Sequence, residues 1–259
     1  MKIKSYFGIL ILITSIFQTS CVNDPQSDSW RTLARMKAED YFAEPLQVKF
    51  AEAVARGNAD EIGELIKQGA DVNALGRDGM RPLSWAMAKN SLRGFEFLLQ
   101  NGADANLAIL EPSINKFPLT LLEFSASSES SDYLRLLLKY KGNPNTISSG
   151  QLGDRTIIFD AIMHNQIENA RVLIEAGADI NQQDSSRSSP IMTAASINNY
   201  DMVYLLLIKG ANPLLKDRWG FDFAGEMKRY GSRGIKPDSE EYQWYLKVVE
   251  EMKKRGLLK

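Results

Sequence analysis

Few side chains in this sequence could do covalent or acid–base chemistry. Cys21 is the only cysteine among 259 residues, and His164 is the only histidine. A lone thiol can be acylated but cannot close a disulfide within the chain, and one Cys with one His falls short of a structural zinc site. His164 precedes Asn165 where a helix should give way to a turn, a normal place for an exposed residue. No Gly-x-Ser-x-Gly turn supplies a serine nucleophile, no glycine-rich loop could cradle a phosphate, and carboxylates such as Asp217, Glu250 and Glu251 are scattered. With 44% hydrophobic and 24% charged residues the chain is ordinary and globular. Its formal net charge of −1 comes without the concentrated Lys/Arg surface that phosphate binding needs. The expectation is a non-enzyme with no cofactor, no metal, no nucleic-acid partner and no small-molecule substrate. What remains is the binding of another protein.

The elements that would carry a binding surface are written repeatedly. Gly177-Ala178-Asp179-Ile180-Asn181 follows the apolar run Val172-Leu173-Ile174. Gly69-Ala70-Asp71-Val72-Asn73, Gly102-Ala103-Asp104-Ala105-Asn106, Asn143-Pro144-Asn145 and Gly210-Ala211-Asn212-Pro213 follow apolar runs of the same kind. The Asp/Asn positions 71, 104, 143, 179 and 212 are spaced 33, 39, 36 and 33 apart, an interval that marks a repeat array. Glycine just past a helix adopts the left-handed conformation without a Cβ clash and stops the helix. The Asp or Asn that follows can bond its own nearby backbone and favours a turn. Nine residues beyond Asn73 and Asn181 come Pro82 and Pro190, with Ser189 placed to offer an N-cap hydroxyl. One unit is hairpin loop, helix, short turn, helix.

These motifs resemble the ankyrin repeat, whose unit of about 33 residues starts Thr-Pro-Leu-His and ends Gly-Ala-Asp-Val-Asn. The resemblance covers roughly residues 45 to 225 and implies an all-α ankyrin-repeat solenoid of about five helix-turn-helix repeats between capping helices. The starts read Arg81-Pro82-Leu83-Ser84, Phe117-Pro118-Leu119-Thr120, Thr156-Ile157-Ile158-Phe159 and Ser189-Pro190-Ile191-Met192, so no copy is complete. Each lost capping hydroxyl costs about 0.5–2 kcal/mol, which predicts an array less stable than a consensus one. Lys141 stands where the closing glycine belongs and leaves the cap geometry of the third repeat open.

The expected boundaries are a signal segment 1–20, a tether 21–29, an N-terminal cap helix 30–44, repeats 45–74, 75–107, 108–146, 147–182 and 183–215, and a partial repeat with C-terminal cap 216–259. Trp30, Leu33, Ala34, Ala38, Tyr41 and Phe42 recur at helical spacing in the first cap. Met36 within it is a conceivable internal start that would give a minor cytosolic form. The third repeat is expected to hold three extra residues in the 107–116 loop and three in the Ser125–Ser131 turn, and the fourth three in 146–154. Asp217-Arg218-Trp219-Gly220-Phe221 opens a sixth hairpin whose helix decays towards Gly234, and Pro237-Asp238 with Glu241 should open a closing helix through a capping box. The buried stripe of that helix reads Tyr242, Tyr245, Leu246, Val249 and Met252.

The N-terminus reads as a secretory signal. Lys2 and Lys4 precede the mostly apolar run Tyr6 to Phe17, too short to span a membrane. Thr19-Ser20-Cys21 then resembles the bacterial lipobox, although Gln18 departs from the usual aliphatic residue. The resemblance implies lipidation at Cys21 and, with Val22 following it, an outer-membrane lipoprotein facing the periplasm. Loss of Lys2 and Lys4 with the signal would change the net charge from −1 to −3.

By the repeat register, the partner-binding candidates on hairpin tips are Arg77, Asp78, Met80, Arg155, Ser186, Ser188, Arg218, Trp219 and Phe221. Those at the ends of first helices are Lys89, Met163, His164 and Ile197. A tethered array of this kind resembles the ankyrin-repeat lipoproteins that act as immunity proteins to type VI secreted lipase effectors. The resemblance implies one protein partner, a lipase, with the membrane met through the lipid anchor only. The alternative is a general envelope scaffold or adaptor.

Overall fold

The structure, a computed structural model, describes residues 35–110, 119–148 and 154–259. The signal segment, Cys21, the tether and residues 30–34 of the expected cap lie outside the described residues, as do 111–118 and 149–153 of the two long loops. The chain divides into two compact units, Met1–Asn143 and Pro144–Lys259.

The first unit holds α1 (Pro45–Arg56), α2 (Ala59–Lys67), α3 (Pro82–Ala88), α4 (Leu92–Gln100), α5 (Leu121–Ser127) and α6 (Asp132–Lys139). The second holds α7 (Ile157–Met163), α8 (Ile167–Glu175), α9 (Pro190–Ser196), α10 (Tyr200–Ile208), α11 (Phe223–Tyr230) and α12 (Glu240–Lys254). Each apolar run of the sequence is the buried stripe of a second helix, packed on the short first helix of its own repeat. Phe50, Phe95, Leu98, Leu134, Leu137, Ile158, Leu173 and Leu206 are essentially inaccessible to water. Trp85 is core as expected, and its indole N–H donates to the Ala51 carbonyl at 2.8 Å.

The closing motif does what its residue types predict. Gly69, Gly102, Gly177 and Gly210 have φ between 89° and 100°, and the next N–H returns to the helix, as Ala70 does to Leu65 and Ala178 to Leu173. Lys141 keeps the same geometry, with φ 70° and the Gly142 N–H on the Leu137 carbonyl at 2.8 Å. The carboxylates of Asp71, Asp104 and Asp179 each accept the N–H two residues on. The terminal Asn then ties one repeat to the next. Asn73 accepts from Asp104 N–H and donates to the Gly102 carbonyl, and Asn145 treats Asp179 and Gly177 in the same way.

First-helix starts and second-helix ends fall at 82 and 100, 121 and 139, 157 and 175, and 190 and 208, one constant interval. No net insertion therefore lies in the Ser125–Ser131 turn, contrary to expectation. The additional residues of the third repeat are all in the loop before α5. That loop leaves and returns as a small antiparallel ladder, β1 (Ala108–Leu110) with β2 (Leu119–Thr120). The repeat start is accordingly Thr120-Leu121-Leu122-Glu123, three residues later than the sequence suggested, and the Thr120 hydroxyl accepts from Glu123 N–H as an N-cap. The fourth repeat does the same on a smaller scale, with a bridge between Ile147 and Thr156.

Three other expectations are corrected. The segment through 44 is not one helix: residues 36 and 37 are non-helical and only a 3-10 turn, Ala38–Asp40, follows. Its carbonyls are taken by the next repeat, Tyr41 by Arg77 N–H at 2.8 Å and Met36 by the Lys89 ammonium at 2.7 Å. Pro45 also holds Glu44 extended. Ser189 sits at the N-cap of α9, but its hydroxyl is buried and makes no cap bond. At α12 the cap is Ser239, whose hydroxyl accepts from Tyr242 N–H, because Pro237 occupies a turn closed by Ser239 N–H on the Lys236 carbonyl. Glu241 thus sits one position too early for a capping box. The α12 stripe runs through Val248 and Met252, with Trp244 against Tyr204 and Tyr245 against Tyr200, while Leu246 is exposed.

Candidate functional site

The hairpins preceding α3, α9 and α11 share one construction. In the last two, an aspartate at the base accepts two backbone N–H groups of the tip. Asp184 takes Ser186 and Ser188 at 2.9 and 2.8 Å, and Asp217 takes Trp219 and Phe221, both at 2.9 Å. Neighbouring tips are joined by Arg218 N–H on the Ser186 carbonyl at 3.0 Å. In the hairpin before α3, Gly76 replaces the aspartate because a Cβ would lie 2.7 Å from the Tyr41 carbonyl oxygen. Tyr41 occupies there the place that Ser186 has beside Arg218, so residues 38–42 stand in for the hairpin that the first repeat lacks.

This construction sorts the expected binding residues. In the first unit Arg77 is exposed and Asp78 half-buried, but Met80 is 4% exposed and belongs to the core. Its sulfur accepts the Ser84 hydroxyl, and the 38–42 segment covers that hairpin. Lys89 is half-buried, bonded to the Met36 carbonyl and stacked 4.8 Å from the Trp85 ring centroid. Burial pushes its pKa below the ordinary lysine value. Neither Met80 nor Lys89 is presented to a partner.

In the second unit Arg155 is also engaged internally. Its guanidinium donates through Nε and Nη2 to Asp184 Oδ2 at 3.1 and 3.0 Å and lies over the Phe159 ring. The remaining candidates form the accessible set. Met163, Ile197, Trp219 and Phe221 are 46, 41, 67 and 41% exposed, His164 and Arg218 are exposed, and Ser186 and Ser188 are half-buried. His164 places Nδ1 2.9 Å from the Asp160 carbonyl at the end of α7.

Sequence reasoning missed the neighbours that give this surface depth. A cleft of about 480 Å³ between α9 and α11 is lined by Ser188, Met192, Phe221, Tyr230 and Arg233, among others. The helix expected to decay into Tyr230-Gly231-Ser232-Arg233-Gly234 is α11, which ends at Tyr230. Phe223, Ala224 and Met227 are buried at helical spacing behind the Asp222 N-cap, a legible signal. Among the described residues no group of three or more His, Cys, Asp or Glu could hold a metal ion. No described helix is long and apolar enough to cross a membrane.

The fold and this geometry define a class. Residues 122–217 match the family model for ankyrin repeats in three copies, and the described residues fold as all-α ankyrin repeats. The chain is 27% identical over 180 residues to human transient receptor potential cation channel subfamily A member 1, covering 69% of this chain and 16% of that protein. It is 28% identical over 162 residues to putative ankyrin repeat protein FPV031 of fowlpox virus, covering 60% and 45%. Against ankyrin repeat domain-containing protein SAT10 of Stachybotrys chartarum it is 30% identical over 164 residues, covering 62% and 8%. The chain thus spans less than half the length of these relatives. Ankyrin repeats imply a protein–protein interaction scaffold.

Proposed function

We propose that this protein binds one protein partner through the second unit, without chemistry of its own, as an immunity protein of the bacterial envelope that neutralises a type VI secreted lipase effector. The observation that carries the binding reading is the set of exposed side chains on tips and helix ends, Met163, Ile197, Trp219 and Phe221, the last of which also lines the cleft. Aromatic and Arg side chains of this kind dominate interface energies, and repeat arrays bind through such extended surfaces. The envelope and lipase parts are supported by the apolar N-terminal run ending at Cys21 and by the resemblance to ankyrin-repeat lipoproteins. In this reading Cys21 is acylated, the protein faces the periplasm from the outer membrane, and it occludes the lipase active-site entrance.

The test is capture of the C-terminally tagged full chain from the parent cell's membranes, with partners identified and assayed. One stoichiometric lipase whose activity falls on binding is expected, and Cys21→Ser should release the protein from the membrane fraction. Several substoichiometric envelope proteins and no lipase would replace this reading with the scaffold.

A further inference from the structure

The cleft between α9 and α11 is bordered by aromatic rings that carry guanidinium groups. Arg229 lies 5.1 Å from the Phe221 centroid and 6.0 Å from that of Tyr230, Arg233 lies 6.0 Å from Tyr230, and Arg218 lies 5.5 Å from Trp219. A guanidinium held over an aromatic ring by cation–π attraction retains N–H donors for a carboxylate. Arg229 and Arg233 enter no ion pair among the described residues, and both are exposed.

Local charge points the same way. Between residues 216 and 236 stand Lys216, Arg218, Lys228, Arg229, Arg233 and Lys236, against Asp217, Asp222 and Glu226. Two of those carboxylates are already engaged with backbone N–H groups, Asp217 with the hairpin tip and Asp222 with Gly225. Glu226 is the other carboxylate lining the cleft. The whole chain carries a net charge of −1, so this stretch is basic relative to it; of its charged side chains Arg233, Asp217 and Glu226 line the cleft itself, around an apolar floor of Met192, Phe223 and Met227.

We infer that this cleft receives an acidic segment of the partner protein, an apolar side chain entering the floor and flanking Asp or Glu side chains engaging Arg229 and Arg233. The inference rests on the second unit being the partner-facing one, and it adds the chemistry of what is bound there.

The probe is a labelled peptide with three acidic residues on each side of a Leu-Phe pair, compared by fluorescence polarisation with its Gln/Asn isostere on the full chain in mild detergent. The acidic peptide is expected to bind about tenfold tighter than the isostere at low salt, and the difference should shrink towards about 0.5 M salt. Arg229→Glu with Arg233→Glu should abolish the preference at unchanged helical content, and Arg229→Gln with Arg233→Gln should reduce it. Equal binding of both peptides, no binding of either, or a preference that survives the charge reversal would each overturn the inference. The two proposals can fail separately. A captured lipase retained in full by the charge-reversed protein removes this cleft from the interface, whereas acid-selective peptide binding without any captured lipase removes only the immunity reading.

Discussion

The ion pair between Arg155 and Asp184 offers a quantitative test of how the second unit is held together. Asp184 is 5% exposed and its carboxylate has four donors, two hairpin N–H groups on Oδ1 and two guanidinium N–H groups on Oδ2. Asp184→Asn can keep the amide oxygen towards the hairpin, but it must turn an NH2 group towards two donors. Losing the charge-assisted bonds costs about 1.5–3 kcal/mol, and a partly buried guanidinium left without its partner adds to this, up to the roughly 3–5 kcal/mol seen when a buried pair is broken. The side chain of Arg155 keeps 20% exposure, so the lower part of that range applies, about 2–3 kcal/mol. Arg155→Met should cost at least as much, about 2–3 kcal/mol, because the Asp184 side chain is 1% exposed and its carboxylate is left buried without the two guanidinium donors. In the double-mutant cycle about 1.5 kcal/mol or more should appear as coupling. Urea unfolding monitored by circular dichroism measures each variant, with hydrogen exchange at residues 155–190 locating the loss. Single variants within 0.5 kcal/mol of the parent, or additive effects, would refute the assignment of Arg155 to the scaffold and return it to the binding surface.

Four further outcomes follow from the same geometry. Lys141→Gly relieves a left-handed Cβ at φ 70° worth about 1–2 kcal/mol, less about 0.5–1 for the extra freedom of the unfolded chain; a gain of about 0.5–1 kcal/mol is expected in urea unfolding, and a loss would show that the lysine side chain contributes there. Asn73→Ala removes the two bonds to Gly102 and Asp104 and should cost about 1–2 kcal/mol, read in the same assay. Burial raises the pKa of Tyr133, Tyr200 and Tyr245 above the ordinary value of 10.0. The folded state therefore keeps protons that the unfolded state loses, so stability present below pH 10 should decline above it, and Tyr133→Phe should flatten that decline in alkaline unfolding followed by tyrosinate absorbance. Trp219→Ala, at 67% exposure, should leave the melting midpoint unchanged while weakening partner capture at least tenfold; undiminished capture would remove Trp219 from the interface.

The sequence by itself determined the repeat, because the signals that write it are local. A glycine that can take positive φ, an Asp or Asn that bonds its own turn, and an apolar run with helical period act within a few residues of one another. Hence the four glycine caps, the Asx turns and the buried Leu/Ile stripes were all legible. Even Lys141 obeys its neighbours, since the returning Gly142 N–H fixes the cap more strongly than the missing glycine relaxes it. Only tertiary structure decided which outward positions face solvent. Met80, Lys89 and Arg155 occupy the same kind of register position as Phe221, Ile197 and Ser188. The first two lie against the 36–42 segment, far away in sequence, and the third meets Asp184 of the next hairpin. The cleft between α9 and α11 is likewise a relation between two repeats, lined by Ser188 and Met192 of one and by Phe221 and Tyr230 of the next. Whether an exposed register position is covered or free depends on what the rest of the chain brings against it, and no local periodicity encodes that.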